Sequence, residues 1–181
     1  SDLRLLATVQ AEIDVFDLRL ARLAYDDERV KLLMTIPGVS IVVGQALVAA
    51  FGDITRFESG DSAASYLGLT PSTRQSANTV YHGPITKHGN STARTMLVQA
   101  AQQYSRQAGP LGHFFQRLKR RKCHNVAVVA TARKLAIIAW RLLTTGEPYR
   151  YAQPAATATK LASLRIRSEE HTSELQSLAY L

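Results

Sequence analysis

The chain has 181 residues, 46% of them hydrophobic, with a formal charge of +8 at pH 7 and a pI near 9.9. That length fits one domain with an appendage, the apolar share can bury a core, and the charge points to a polyanionic partner. A single cysteine, Cys123, excludes an internal disulfide and fits a reducing compartment. No apolar run reaches about 18 residues and no signal peptide opens the chain, so a cytosolic protein with no membrane contact is expected.

The charge is unevenly placed. Residues 1–31 carry seven acids and five bases, whereas residues 32–166 carry four acids and sixteen bases. A basic body suits nucleic acid, and a near-neutral arm suits a protein contact. In that arm, Leu6, Val9, Ile13, Phe16, Leu20 and Leu23 are spaced 3, 4, 3, 4, 3, an a/d seam with Asp14, Asp17, Arg19 and Arg22 off it. The seam predicts either a coiled coil or an amphipathic helix lying on its own domain. Beginning mid-helix, the chain reads as cut from something longer.

Residues 32–53 bring an apolar helix end to Pro37-Gly38, with a second apolar helix from Ser40. This resembles a helix-hairpin-helix, which offers backbone N–H groups at a helix N-terminus to a phosphate without reading bases. Ser40 stands where a second glycine is usual, and serine is a sound N-cap. Gly38 and Ser40 are therefore candidate nucleic-acid contacts; the alternative is a buried turn packing Ile36, Val39 and Val43. A short helix over 61–69, capped from Ser59 or Asp61, leads into the stretch 66–90.

That stretch holds three glycines, two prolines, four hydroxyl residues between Thr70 and Ser76, and no carboxylate. Apolar anchors (Leu67, Leu69, Val80, Ile85) predict a long ordered loop rather than a disordered one. Arg74 and Lys87 supply cations beside His82 and His88, a composition suited to phosphate. The alternative is a polar surface loop. Asn90 or Ser91 then caps a helix to about Ala108, with Met96, Leu97, Ala100, Ala101 and Tyr104 on one face. A helix over 111–122 ends in Lys119-Arg120-Arg121-Lys122, four cations that suit phosphate or a solvated helix end. Residues 125–145 form the most apolar helix, closed by Gly146, with Arg133, Lys134 and Arg141 on its exposed side. No segment reads as a strand.

Residues 152–166 read as a polar tail. The run RSEEHTSELQS at 167–177 resembles the translation of a common sequencing-library adapter. Residues 167–181 are accordingly expected to lie outside the fold, with no core face running through them.

Five stretches, in order and spacing, are similar to the C-terminal transposase domain of the IS116/IS110/IS902-type insertion-sequence family. They are IPGVS, FGDITRF, YLGLTPS, GPITKHGN and VATARKLAIIAWRLLTTGEPY, over roughly residues 30–151. The resemblance implies an all-α fold: an N-terminal coiled-coil helix (1–31), then a compact helical domain (32–151) with a helix-hairpin-helix-like element and a long ordered serine loop (70–90). It implies a nucleoid-associated DNA transposase, guided by a bridge RNA and dimerising through residues 6–23. Its four metal-binding carboxylates, with Mg2+, belong to a RuvC-like half not found in this chain, and no cofactor is expected here.

The family's P-S-x-x-[ST]-S-G run falls on Pro71–Ala77, which makes Ser76 the implied nucleophile and Ser72 the fallback. Gln75 and Ala77 depart from that pattern. Arg74, Lys87 and Arg94 are implied charge stabilisers, and Asn90 joins them as a nucleic-acid contact. This chain alone is expected to bind nucleic acid without recombining it. Two other readings remain: a non-catalytic helix-hairpin-helix binding module, and an inactive transposase fragment.

Overall fold

The computed structural model describes residues 2–76 and 79–179; the side chains at 74, 76, 79, 80, 82 and 170–179 lie outside that description. Its elements are α1 (Asp2–Asp26), α2 (Glu28–Met34), α3 (Ile41–Phe51), α4 (Gly60–Tyr66), β1 (Pro71–Ser76), β2 (Thr79–Ile85), α5 (Ser91–Gln102), α6 (Pro110–Arg121), α7 (His124–Thr145) and α8 (Pro154–Ala179). The fold is all-α apart from one small hairpin, as the sequence predicts. Among the described residues no helix is long and apolar enough to cross a membrane.

The core gathers around α7, onto which α4, α5 and α6 pack. Its buried residues include Ala127, Ala132, Ala136 and Ala139 beside Leu135, none of them with exposed surface. These small side chains let neighbouring helices approach closely, while Ile137 and Trp140 flank the stripe. The α4 start sits hard against that flank: a Cβ at Gly60 would lie 2.7 Å from Ile137 Cγ2. Trp140 Nε1 donates to the Phe57 carbonyl at 3.2 Å, tying the turn before α4 to the same helix.

The helix ends follow their caps. Ser40 Oγ accepts from Val43 N, Ser59 Oγ from Ser62 N, and Asn90 Oδ1 from Ala93 N. Gly146 closes α7 in the left-handed conformation, its N–H donating to the Leu142 carbonyl. Of the paired alternatives, Ser59 and Asn90 are the caps.

Two expectations are corrected. The stretch 70–90, expected as an ordered loop without strands, carries a hairpin: β1 and β2 pair antiparallel, Thr73 with His82 through Ser76 with Thr79. Second, residues 152–166, expected as a polar tail, are helical from Pro154 and partly covered. They begin α8, with Pro154 at its first position, where a missing N–H costs nothing. Thr157, Lys160, Leu161, Leu164 and Ser168 recur at helical spacing on the covered side of α8, and Leu164 and Ser168 are buried. Leu164 joins Ala21, Ala24, Val30 and Met34 in a second small core linking α1, α2 and α8. A covered stripe therefore continues past residue 166.

Most of the α1 seam stays uncovered: Leu6 is 65% exposed, Phe16 58% and Leu23 67%. The helix sits on its own domain through Ala21 and Ala24 instead, and Gln45 Nε2 donates to the Leu20 carbonyl at 2.6 Å.

Leu164→Ala is expected to destabilise the protein by about 2–4 kcal/mol, the cost of emptying a fully buried leucine site. Thermal or urea unfolding measures it, and a loss under about 0.5 kcal/mol, the range of a surface substitution, would show that α8 does not pack in solution.

Candidate nucleic-acid interface

The hairpin is held at its root by two crossing backbones. Gly68, after α4, has φ +69°, and a Cβ there would lie 2.2 Å from the His88 carbonyl oxygen. Gly89 has φ +101°, and its Cβ would meet the Tyr66 carbonyl oxygen at 1.9 Å. Only glycine fits either place. The crossing is stitched by Lys87 N–H to Gly68 O at 3.1 Å and Thr86 N–H to Thr70 O at 2.9 Å. Arg94, on the first turn of α5, donates to the Leu67 carbonyl at 3.0 Å. Lys87 itself takes a positive φ of 59° and is exposed.

The structure thus brings Lys87, Asn90 and Arg94 together at the hairpin root. Asn90 uses its amide oxygen as the α5 cap, and Arg94 secures the end of α4. Ser72 lies near the start of β1, at an irregularity in the register, and its hydroxyl donates to the Pro84 carbonyl at 3.1 Å. It packs on Gly83, where a Cβ would come within 2.6 Å of Ser72 Oγ. Ser76 ends β1, opposite Thr79 at the far end of the ladder. The side chains of Arg74, Ser76 and His82 lie outside the described residues, as do Ala77 and Asn78 entirely. His88 is exposed.

Gly38 and Ser40 belong to a second place, the turn between α2 and α3. Gly38 has φ +83°, and a Cβ there would touch the Ala100 carbonyl at 3.4 Å, so the turn nests against α5. Tyr104 donates its hydroxyl to the Pro37 carbonyl, and burial pushes that phenol well above the ordinary tyrosine range. Lys160 of α8 donates to the carbonyls of Met34, Ile36 and Val39 at 2.9, 3.0 and 2.9 Å. Burial holds its ammonium below the usual lysine range. Sequence reasoning missed Lys160; a lysine four residues before a leucine in a helical stripe was the available signal.

A third place is the end of α6. Lys119, Arg120 and Arg121 fill its last turn and Lys122 caps it, all four exposed, with Arg120 Nε reaching the Gln116 carbonyl at 3.4 Å. Among the described residues no three His, Cys, Asp or Glu side chains gather to hold a metal.

Residues 30–116 match the model of the Transposase IS116/IS110/IS902 family. The chain belongs to that family. It is 37% identical over 150 residues to the transposase-like y4pF/y4sB protein of Sinorhizobium fredii, covering 80% of this chain and 39% of that protein. It is 31% identical over 139 residues to the transposase for insertion sequence element IS1111A of Coxiella burnetii, covering 75% and 38%. The pilin gene-inverting protein of Moraxella bovis is 29% identical over 126 residues, covering 68% and 39%. The chain thus spans less than half the length of the curated relatives it matches.

Gly89→Ala is expected to cost at least about 2 kcal/mol, because the new methyl group meets a backbone oxygen in a conformation already unfavourable for alanine. Gly146→Ala is the comparison: nothing lies within 4 Å of its Cβ, so only the left-handed conformation is penalised, at about 1 kcal/mol. Equal melting shifts for the two would mean that the crossing at the hairpin root relaxes freely.

Proposed function

We propose that the full-length protein is an insertion-sequence transposase in which this chain binds DNA and a guide RNA and supplies Ser76 as the nucleophile. The observation that carries this reading is the rigid hairpin root, flanked by Lys87 and Arg94, with Ser76 closing the strand that leaves it. The strand that ends at Ser76 is thereby carried on a short element braced at its root.

In the proposed reaction, Ser76 Oγ attacks the phosphorus of a DNA phosphodiester. One P–O bond to the sugar breaks and the departing sugar oxygen takes a proton, leaving DNA joined to serine. A second sugar hydroxyl then attacks the phosphoserine, restores the serine and seals the new strand. No water is consumed, so the bond energy is conserved through exchange. Arg74 and Lys87 would offset charge developing on the phosphoryl oxygens. Carboxylates and Mg2+ would come from sequence beyond this chain, so the chain alone would bind without recombining.

Ser72 fits a supporting role better than the nucleophile's, since its hydroxyl is engaged by Pro84 and wedged on Gly83. The exposed leucines and phenylalanine of α1 favour a homo-oligomer through residues 6–23, because an uncovered apolar seam gains by pairing with its copy.

The test uses full-length protein with guide RNA and Mg2+. Ser76→Ala is expected to abolish strand exchange and the covalent DNA adduct while changing stability by no more than about 0.5 kcal/mol. Ser72→Ala is expected to lose about 1 kcal/mol of stability, the worth of one hydrogen bond, and to retain exchange. Exchange that survives Ser76→Ala but not Ser72→Ala would move the nucleophile to Ser72. Survival in both would remove the serine mechanism.

A further inference from the structure

Away from the hairpin, α6, α7 and the segment after α7 enclose an open groove of about 980 Å3. Its floor is apolar, from Ile137, Ile138 and Leu142. Its rim carries Arg117, Lys134, Arg141 and Arg150, with Glu147 as the only lining carboxylate. None of those four cations joins the ion pairs formed among the described residues. The sequence explains the imbalance: no carboxylate occurs between Asp61 and Glu147, a stretch with twelve lysines and arginines.

Aromatic rings interleave with these charges. Phe114 lies between Arg117 and Lys134, 5.7 and 4.7 Å from its centroid. At the other end, Tyr151 is 51% exposed, with Arg150 5.8 Å from its ring centre and Tyr149 edge-on at 5.9 Å. Tyr149 is itself anchored, its N–H donating to Thr35 Oγ1 at 3.0 Å.

We infer that this groove docks a single strand of DNA, its phosphates along Arg117, Lys134, Arg141 and Arg150 and a base stacked on Tyr151. Rim cations alone would serve a duplex. An exposed ring beside them serves unpaired bases, whose faces are free to stack. The lining favours deoxyribose over ribose: its floor is apolar, and the threonine hydroxyl at its edge, Thr145 Oγ1, already donates to the Arg141 carbonyl at 2.9 Å and accepts from the Glu147 N–H at 3.3 Å. The inference rests on the nucleic-acid reading above and adds where an unpaired strand would lie.

The test is binding of the full chain to labelled 15-mers of deoxythymidine and of uridine and to a 15-base-pair duplex, each over a salt series. The deoxythymidine strand is expected to bind more tightly than the uridine strand. Tyr151→Ala should weaken it roughly ten-fold, as loss of one stacked base does, with Tyr151→Phe restoring affinity and duplex binding unchanged. Converting Lys134 and Arg141 together to Gln should lower the slope of log K against log salt by about 1.4 for the single strand.

Photo-cross-linking of the unaltered protein to an iodouracil-substituted DNA strand should mark Tyr151, a readout independent of any variant's folding. Absence of nucleic-acid binding at low salt would overturn the broader reading and this one together. Binding indifferent to Tyr151→Ala and to the charge pair would overturn the groove alone. Equal losses on duplex would overturn the single strand, and preference for uridine would overturn DNA as the occupant.

Discussion

The close packing of helices on α7 is the constraint on which the remaining structure depends. Alanines at 127, 132, 136 and 139 are fully covered because α4, α5 and α6 lie directly on them. A larger residue at any of these positions would push a helix outward, and interiors at crystal-like density have no space to absorb that movement. The surroundings of each candidate site inherit their positions from this contact. The crossing at the hairpin root hangs between α4 and α5, the α6 cations run to the α6–α7 corner, and the basic groove is cut between α6 and α7 themselves.

Much of this was legible in the sequence. Ser40, Gly146 and the Pro37-Gly38 turn announced themselves because capping and left-handed backbone are local chemistry, readable within a few residues. The hairpin did not. Its strand PSTRQS holds no β-branched apolar residue and its partner TVYHGPI is broken by glycine and proline, so neither shows the alternation of a half-buried strand. What makes it a ladder is the fixed root, where residues some twenty apart in sequence cross. Helix α8 failed for a related reason: its covered stripe includes a threonine, a lysine and a serine, which composition reads as solvent-facing. On α7 the apolar character was legible, but not which residues carry the helix contacts. Val126 is exposed, while the small residues carry the contact.

The candidate site residues divide along the same line. Asn90, Arg94 and Ser72 look like phosphate ligands by type, yet each spends a polar group within the fold. Lys119–Lys122 stay solvated. The groove cations Arg117 and Arg150 were not selected from sequence because they lie 33 residues apart. Only the return of the chain after α7 sets them on one rim.

The three bonds from Lys160 bear on how the molecule forms. Their acceptors, Met34, Ile36 and Val39, lie 121 to 126 residues earlier in the chain. Tyr104 closes the same turn across 67 residues. A turn that looks purely local therefore reaches its final shape only after Lys160 has left the ribosome. Until then its carbonyls remain hydrated, and α2 and α3 wait without their clasp. Such long closures slow the approach to the native state, because the entropy of joining distant segments is lost before the contacts are gained.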